Sequence, residues 1–256
     1  MMDFAEVERA FVDLRKRSPV VVQITNFVSA DFQADCTLFI GAHPIMPVSV
    51  EEIGEIVSKS DSLLVNIGNL TEERMFAIRE ALKVANMYGL PVVLDPVGCN
   101  ASSFRNAFVT EILRLYRVDV LKGNASEVSS IAGKQRTFGG VDGVEDVSDT
   151  EIIPLLEKIS VEYGCVVVST GAIDFVVSVD NMVSVTGGSP FLKSVSGMGC
   201  CLGSIMAALL TVRDSFAASI IGLEAVKMTS VRAAVGLDVP GSFKARFLDQ
   251  LYILGR

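Results

Sequence analysis

The chain of 256 residues is long enough to bury a full core, and with half of its residues hydrophobic and a fifth charged it has the balance of a globular enzyme. Its net charge of −8 argues against nucleic acid or an anionic membrane surface as the main partner, while leaving room for an anionic small molecule cradled by backbone N–H groups. The single histidine, His43, excludes a His-based zinc set, and the five cysteines, at 36, 99, 165, 200 and 201, have neither zinc-ligand nor CxxC spacing and read as thiols of a reduced, cytoplasmic protein.

The opening "MMDFAEVERAFVDLRKRSP" reads as a charged amphipathic helix rather than a signal peptide, and no apolar run reaches the length of a membrane span. "VVVQIT" (Val20–Thr25) is a β-branched strand between Pro19 and Asn26, and "HPIMP" reads as an exposed loop. "SLLVNIG" (Ser62–Gly68) is a second strand. The helix after it is capped by Thr71, carries early carboxylates and closes at Gly89. "PVVLDPVG" (Pro91–Gly98) is a buried strand, and "VDVLKGNASEVSSIAG" reads as strand, short turn and helix. "TFGGVDGVED" (Thr137–Asp146) is the most loop-like stretch. "CVVVSTG" (Cys165–Gly171) is again a continuous apolar strand, and Asp174–Thr186 reads as a hairpin turning at Asp180-Asn181. Helices follow over Gly199–Arg213, Ser215–Val235 and Ser242–Leu254. Near-continuous β-branched runs between helices predict an α/β fold, with a mainly parallel central sheet covered by helices on both faces. No linker or repeat divides the chain, so residues 1–256 read as a single domain.

In such a fold ligands bind beyond the C-terminal ends of the strands. Asn26, Asn66, Gly68, Asp95, "KGNASE" (Lys122–Glu127) and "STG" (Ser169–Gly171) all fall there. Each alone is also an ordinary turn former; together they are brought to one edge of the sheet. The carboxylates of Asp95 and Glu127, near phosphate-binding turns, suit Mg²⁺, a hard cation that prefers oxygen ligands. "SVSGMGCC" (Ser194–Cys201) leads into a helix whose first N–H groups have no partner within it. Gly197, Met198, Gly199 and Cys200 there form a candidate anion hole for a transferring phosphoryl group. The competing reading is a tight turn with cysteines as small core residues, which suits Cys201 better than Cys200.

These residues, in this order and spacing ("ITN", "PVVLDPVG", "GNASE", "TG", "GMGC", "GSF"), make the chain resemble the hydroxyethylthiazole kinase family along nearly its whole length. The resemblance implies a ribokinase-like three-layer fold. It also implies transfer of the γ-phosphoryl group of ATP to the primary hydroxyl of 4-methyl-5-(2-hydroxyethyl)thiazole, in thiamin salvage. It assigns Mg²⁺ to Asp95 and Glu127, ATP to Lys122, Asn124 and Thr170, and the thiazole to Asn26, Met46, Gly68 and Gly197. Gly197, Gly199 and Cys200 become the catalytic turn, and the expected assembly is a homotrimer with active sites at its interfaces. Related sugar kinases carry Asp where Cys200 stands, to take the hydroxyl proton. A helix N-terminus lowers a thiol's pKa of about 8.5 by about one unit, which makes Cys200 a mediocre base and leaves most of the rate to the anion hole and Mg²⁺.

The sequence departs from the family pattern at Lys122 (usually Arg), Gln23 (usually His), Ala172 (usually Glu), Ser194 (usually Lys) and in "DPVGCNAS". These positions are expected around the nucleotide and phosphates. The rival readings are a ribokinase-like kinase for another small alcohol, a catalytically decayed nucleotide-binding homologue, and a cysteine hydrolase whose base would have to be His43.

Overall fold

Residues of the central strands are nearly all buried and alternate between two apolar layers. Val21, Leu64, Val93, Val120 and Val168 belong to one hydrophobic cluster, and Val22, Leu63, Val65, Val92, Leu94, Leu121 and Val167 to the other. That period of two dictates a sheet with an apolar layer on each face. The computed structural model describes residues 4–133 and 149–256, so the loop expected at Thr137–Asp146 lies outside the described residues.

The chain runs α1 (Phe4–Arg17), β1 (Val20–Ile24), α2 (Ala30–Phe39), β2 (His43–Ile45), α3 (Val50–Ser58), β3 (Ser62–Asn66), α4 (Glu72–Tyr88), β4 (Val92–Asp95) and α5 (Ser103–Leu115). It continues through β5 (Val120–Asn124), α6 (Ala125–Ile131), α7 (Asp149–Tyr163), β6 (Val166–Thr170), β7 (Asp174–Val177), β8 (Met182–Val185), α8 (Met198–Leu209), α9 (Ser215–Ala234) and α10 (Phe243–Ile253). The sheet has eight strands in the order β2-β1-β3-β4-β5-β6-β7-β8. The first six are parallel, and β7 and β8 close one edge antiparallel. Residues of α1, α2, α8, α9 and α10 cover one face, and those of α3 to α7 cover the other. This is the three-layer α/β architecture expected.

Local chemistry sets the boundaries. Thr71 caps α4 by accepting from the Arg74 N–H, and Gly89 ends it in the left-handed region at φ 69°. Three details differ from the sequence reading. "HPIMP" is not wholly loop, because His43–Ile45 pairs with β1 as an edge strand too short to show a period. No turn separates β5 from α6: Asn124 ends the strand and caps the helix at once. Cys36 of α2 and Cys201 of α8 form a disulfide, which corrects the reading of an all-thiol protein. The two are 165 residues apart, and only the crossing of α2 and α8 on one face brings their Cα atoms to 6.2 Å.

Candidate active site

All six parallel strands end on one edge, and the predicted polar residues gather there. The register places Asn66 opposite Asp95 and Asn124 opposite Thr170. Asn66 is the hub. Its Nδ2 donates to Asp95 Oδ2 at 2.9 Å and to the Cys200 sulfur at 3.3 Å, and its Oδ1 accepts from Asn26 Nδ2 at 3.0 Å. Asn26 Nδ2 also reaches Cys200 Sγ at 3.5 Å. The Asn26 Oδ1 accepts from the N–H and hydroxyl of Ser29, which fixes its amide orientation. Sequence reasoning noted Asn66 only as a strand-end residue; its role emerges from the register with Asp95.

Lys122 is buried on β5. Its ammonium donates to Asp95 Oδ1 and to the Gly199 carbonyl, each at 3.0 Å. Burial works against its charge, but Asp95, Cys200 and Glu127 outweigh it and raise its pKa, so it remains an ammonium. Burial in turn pushes the Asp95 carboxyl up, against the pull of Lys122 and Asn66. Glu127, buried in the first turn of α6, accepts from the Gly98 and Asn124 N–H groups at 2.8 Å each. Burial and the nearby Asp95 carry its pKa up to about 7, against Lys122 and those two N–H groups. The Asn124 side chain is engaged in the cap, accepting from the Glu127 N–H at 2.9 Å. Thr170 donates to the Gly123 carbonyl at 3.3 Å and is half-buried at the end of β6.

Gly197 opens α8 at φ +91°, and a Cβ there would lie 3.2 Å from Phe32 Cδ1 and Ser29 Cβ. Both facts require glycine. The Cys201 N–H already bonds to the Gly197 carbonyl, so the free N–H groups of this turn are those of Met198, Gly199 and Cys200. Cys200 stands at the mouth, half-buried. Its pKa corrects the sequence expectation. Burial, then the Asp95 charge, push the thiol up, and Lys122, Ser29 and Asn26 only partly offset them. The thiol is thus held above its ordinary range and stays protonated at neutral pH, the opposite direction to that expected from a helix N-terminus alone.

Gly68 sits where a Cβ would lie 2.8 Å from Asn26 Cβ. The segment containing it is clamped by Arg74, a residue the sequence reading missed. The Arg74 guanidinium donates to the carbonyls of Asn66 and Asn69 at 2.9 Å each, and to that of Gly68. Met46 follows β2 at the same edge, half-buried. The segments that follow β1 and β2 carry exposed apolar residues: Phe27 at 71 %, Val28 at 70 % and Val48 at 75 % exposure. Gln23, expected near the phosphates, is instead buried in the helical layer, donating to Thr37 at 2.6 Å and accepting from Ser204 at 2.9 Å.

Among the described residues no three Asp, Glu, His or Cys groups cluster as a closed metal site. The carboxylates of Asp95 and Glu127, buried together at the strand-end edge, are oxygen donors of the kind that suit Mg²⁺, which keeps several waters and binds through one or two carboxylates plus substrate phosphates.

Residues 11–256 match the hydroxyethylthiazole kinase family. The chain belongs to that family. It is 37 % identical over 247 residues to a hydroxyethylthiazole kinase of Thermoanaerobacter sp., covering 94 % of this chain and 92 % of the relative. A second relative of that name, from Caldivirga maquilingensis, is 38 % identical over 250 residues, covering 97 % and 92 %. The solved structure of a hydroxyethylthiazole kinase protein from Pyrococcus horikoshii superposes with a TM-score of 0.90 at 32 % identity, covering 99 % of this chain and 95 % of that one. A ribokinase-like superfamily protein from Enterococcus faecalis superposes with a TM-score of 0.64 at 11 % identity, covering 98 % of this chain and 90 % of that one. At that identity the likeness shows the fold alone, and the fold is ribokinase-like. The family members are kinases, and so is this chain.

Proposed function

We propose that the protein transfers the γ-phosphoryl group of ATP to the primary hydroxyl of 4-methyl-5-(2-hydroxyethyl)thiazole, a thiamin-salvage reaction. The observation that carries this reading is the first turn of α8, whose free N–H groups stand beside a sulfur held by Asn26 and Asn66, within the field of Asp95 and Lys122. Phosphoryl transfer asks a protein for positioning and charge stabilisation above all, and this edge supplies both.

In this reading Gly68, Met46, Asn26 and Gly197 form the thiazole pocket. At Gly68 a Cβ would press on Asn26, and at Gly197 on Phe32 and Ser29, so glycine lets these backbone segments pack closely at the pocket. The nucleotide lies over Lys122, Asn124 and Thr170, with the Lys122 ammonium facing its phosphates. The N–H groups of Met198, Gly199 and Cys200 receive the charge that grows on the transferring group. Mg²⁺ arriving on the nucleotide would be held by Asp95 and Glu127, directly or through water, and would neutralise phosphate charge. Cys200 sits where the acceptor hydroxyl reacts. As a protonated thiol it orients that hydroxyl more than it takes the proton.

The unbroken eight-stranded sheet supports reading residues 1–256 as one kinase domain. The exposed apolar rim of Phe27, Val28, Ile45 and Val48 adjoins the pocket and supports a homotrimer with active sites at its interfaces. The thiamin-salvage reading supports a cytoplasmic enzyme; no helix among the described residues is long and apolar enough to cross a membrane.

An ADP-release assay with Mg-ATP, with and without the thiazole alcohol, tests the reading. ADP that requires the thiazole, and vanishes on chelation of Mg²⁺, is the expected result. A folded protein that binds nucleotide but releases no ADP with this alcohol would overturn it, and release with a pyrimidine or pyridoxal alcohol instead would reassign the substrate.

A further inference from the structure

Away from the phosphoryl centre, one buried ion pair is unaccounted for. Lys227 of α9 and Asp174, the first residue of β7, meet at 3.0 Å, each with a side chain 8 % exposed. Both use their remaining valences on backbone. Asp174 Oδ1 accepts from the Gly171 N–H at 2.9 Å, in the turn that follows Thr170. Lys227 Nζ donates to the Gly187 carbonyl at 3.2 Å, where the chain leaves β8 for the α8 turn. Gly187 and the next residue, Gly188, both lie in the left-handed region, at φ +97° and +91°. A Cβ at Gly188 would lie 3.3 Å from the Lys227 stem. One turn further along α9, the Ser230 hydroxyl accepts from the Ser189 N–H at 2.9 Å. One face of α9 therefore holds the segment 187–189 directly and, through Asp174, the turn 171–174.

A buried ion pair is a poor device for stability alone, because apolar side chains of similar volume usually serve as well or better. What this pair supplies that apolar packing does not is direction: one bond to each of two backbone segments. Antiparallel pairing of Ser169 with Phe175 sets Asp174 beside the end of β6 that carries Thr170.

We infer that Asp174 and Lys227 are positioning residues for the nucleotide, fixing the Thr170–Gly171 turn against the Gly187–Gly188 segment so that the ATP side of the cleft is formed before ATP arrives. This rests on the assignment of Thr170 to ATP made above. The pair touches no thiazole-side residue, so its loss acts on nucleotide affinity and leaves thiazole affinity alone.

Binding of AMP-PNP with Mg²⁺, measured without the thiazole, tests this on Lys227→Met and on the double variant Asp174→Asn with Lys227→Met. The double variant buries no lone charge and carries the test if the single one fails to fold. Loss of directional bonds of ordinary strength predicts AMP-PNP binding weakened about tenfold. KM for ATP rises in parallel, and KM for the thiazole moves less than about twofold. AMP-PNP affinity within about twofold of wild type in a folded variant overturns the inference, and so does a thiazole KM that rises as much as that for ATP, since a merely structural pair would act on both. If the wild type binds AMP-PNP but does not phosphorylate the thiazole, the substrate assignment fails and the binding comparison still decides the role of the pair.

Discussion

Two regions of the strand-end edge are built in opposite ways. At the phosphoryl end Asn66, Asp95, Lys122 and Glu127 are buried, and their side-chain polar atoms are bonded to one another, to Cys200 or to backbone. At the pocket rim Phe27, Val28 and Val48 lie open, and only the Arg74 guanidinium stacks over the Phe27 ring. Charge on the transferring group must be met by dipoles already in place, because reorganising them during the reaction would raise the barrier. In the proposed trimer, a rim covered by a second copy of the chain needs no such rigidity. The interior should therefore answer substitution with lost stability and lost turnover, and the rim with lost assembly.

The largest effect is expected at Asp95. Asp95→Asn leaves the Lys122 ammonium buried without its counter-charge, at a cost of about 3–5 kcal/mol, which denaturant unfolding would register; a change under about 1 kcal/mol would mean that the lysine relaxes to solvent. Next is Gly197→Ala, which forces a Cβ against Phe32 and Ser29 at a φ suited to glycine. It should lower kcat by about 10²–10³-fold with the far-UV spectrum unchanged, and near-normal turnover would remove the turn from the mechanism.

A smaller effect is linked to pH. Burial pushes the Cys165 thiol up to about 12 and raises that of Cys99 as well. A thiol raised on folding holds its proton more tightly folded than unfolded. Stability is thus full below the unfolded value of about 8.5 and falls as pH climbs above it toward the folded value. At about pH 10 the loss is about 2 kcal/mol per thiol, and Cys165→Ala should remove its share from the Tm-against-pH curve. Parallel curves for wild type and variant would refute this. The smallest effect on stability belongs to the rim. Val28→Ser with Val48→Ser should stay within about 0.5 kcal/mol of wild type yet shift sedimentation from trimer to monomer. An unchanged trimer would place the interface elsewhere.

Much of the fold was legible because it rests on local chemistry. The β-branched runs Val20–Ile24 and Val166–Thr170 and the Thr71 and Gly89 caps each announce themselves. What was not legible depends on elements meeting across the sheet. His43–Ile45 is a strand only because β1 offers it an edge. The Cys36–Cys201 bond exists only where α2 crosses α8. Asn66 becomes a hub through its register with Asp95, and Arg74 clamps the segment around Gly68 from the first turn of α4. The Cys200 expectation rested on the helix N-terminus, which is visible in a sequence, whereas the burial and the Asp95 charge that push the thiol up depend on packing.

The central claim is that the α8 turn and the charges beneath it carry the rate, with Cys200 as an orienting group. The kcat of Cys200→Ala and Cys200→Asp at saturating Mg-ATP and thiazole tests it most directly. The account predicts a loss under about tenfold for Cys200→Ala, and turnover equal to or above wild type for Cys200→Asp. A general base contributes about 10²–10⁴-fold, so a loss of that size in the folded alanine variant, unrelieved by aspartate, would contradict it.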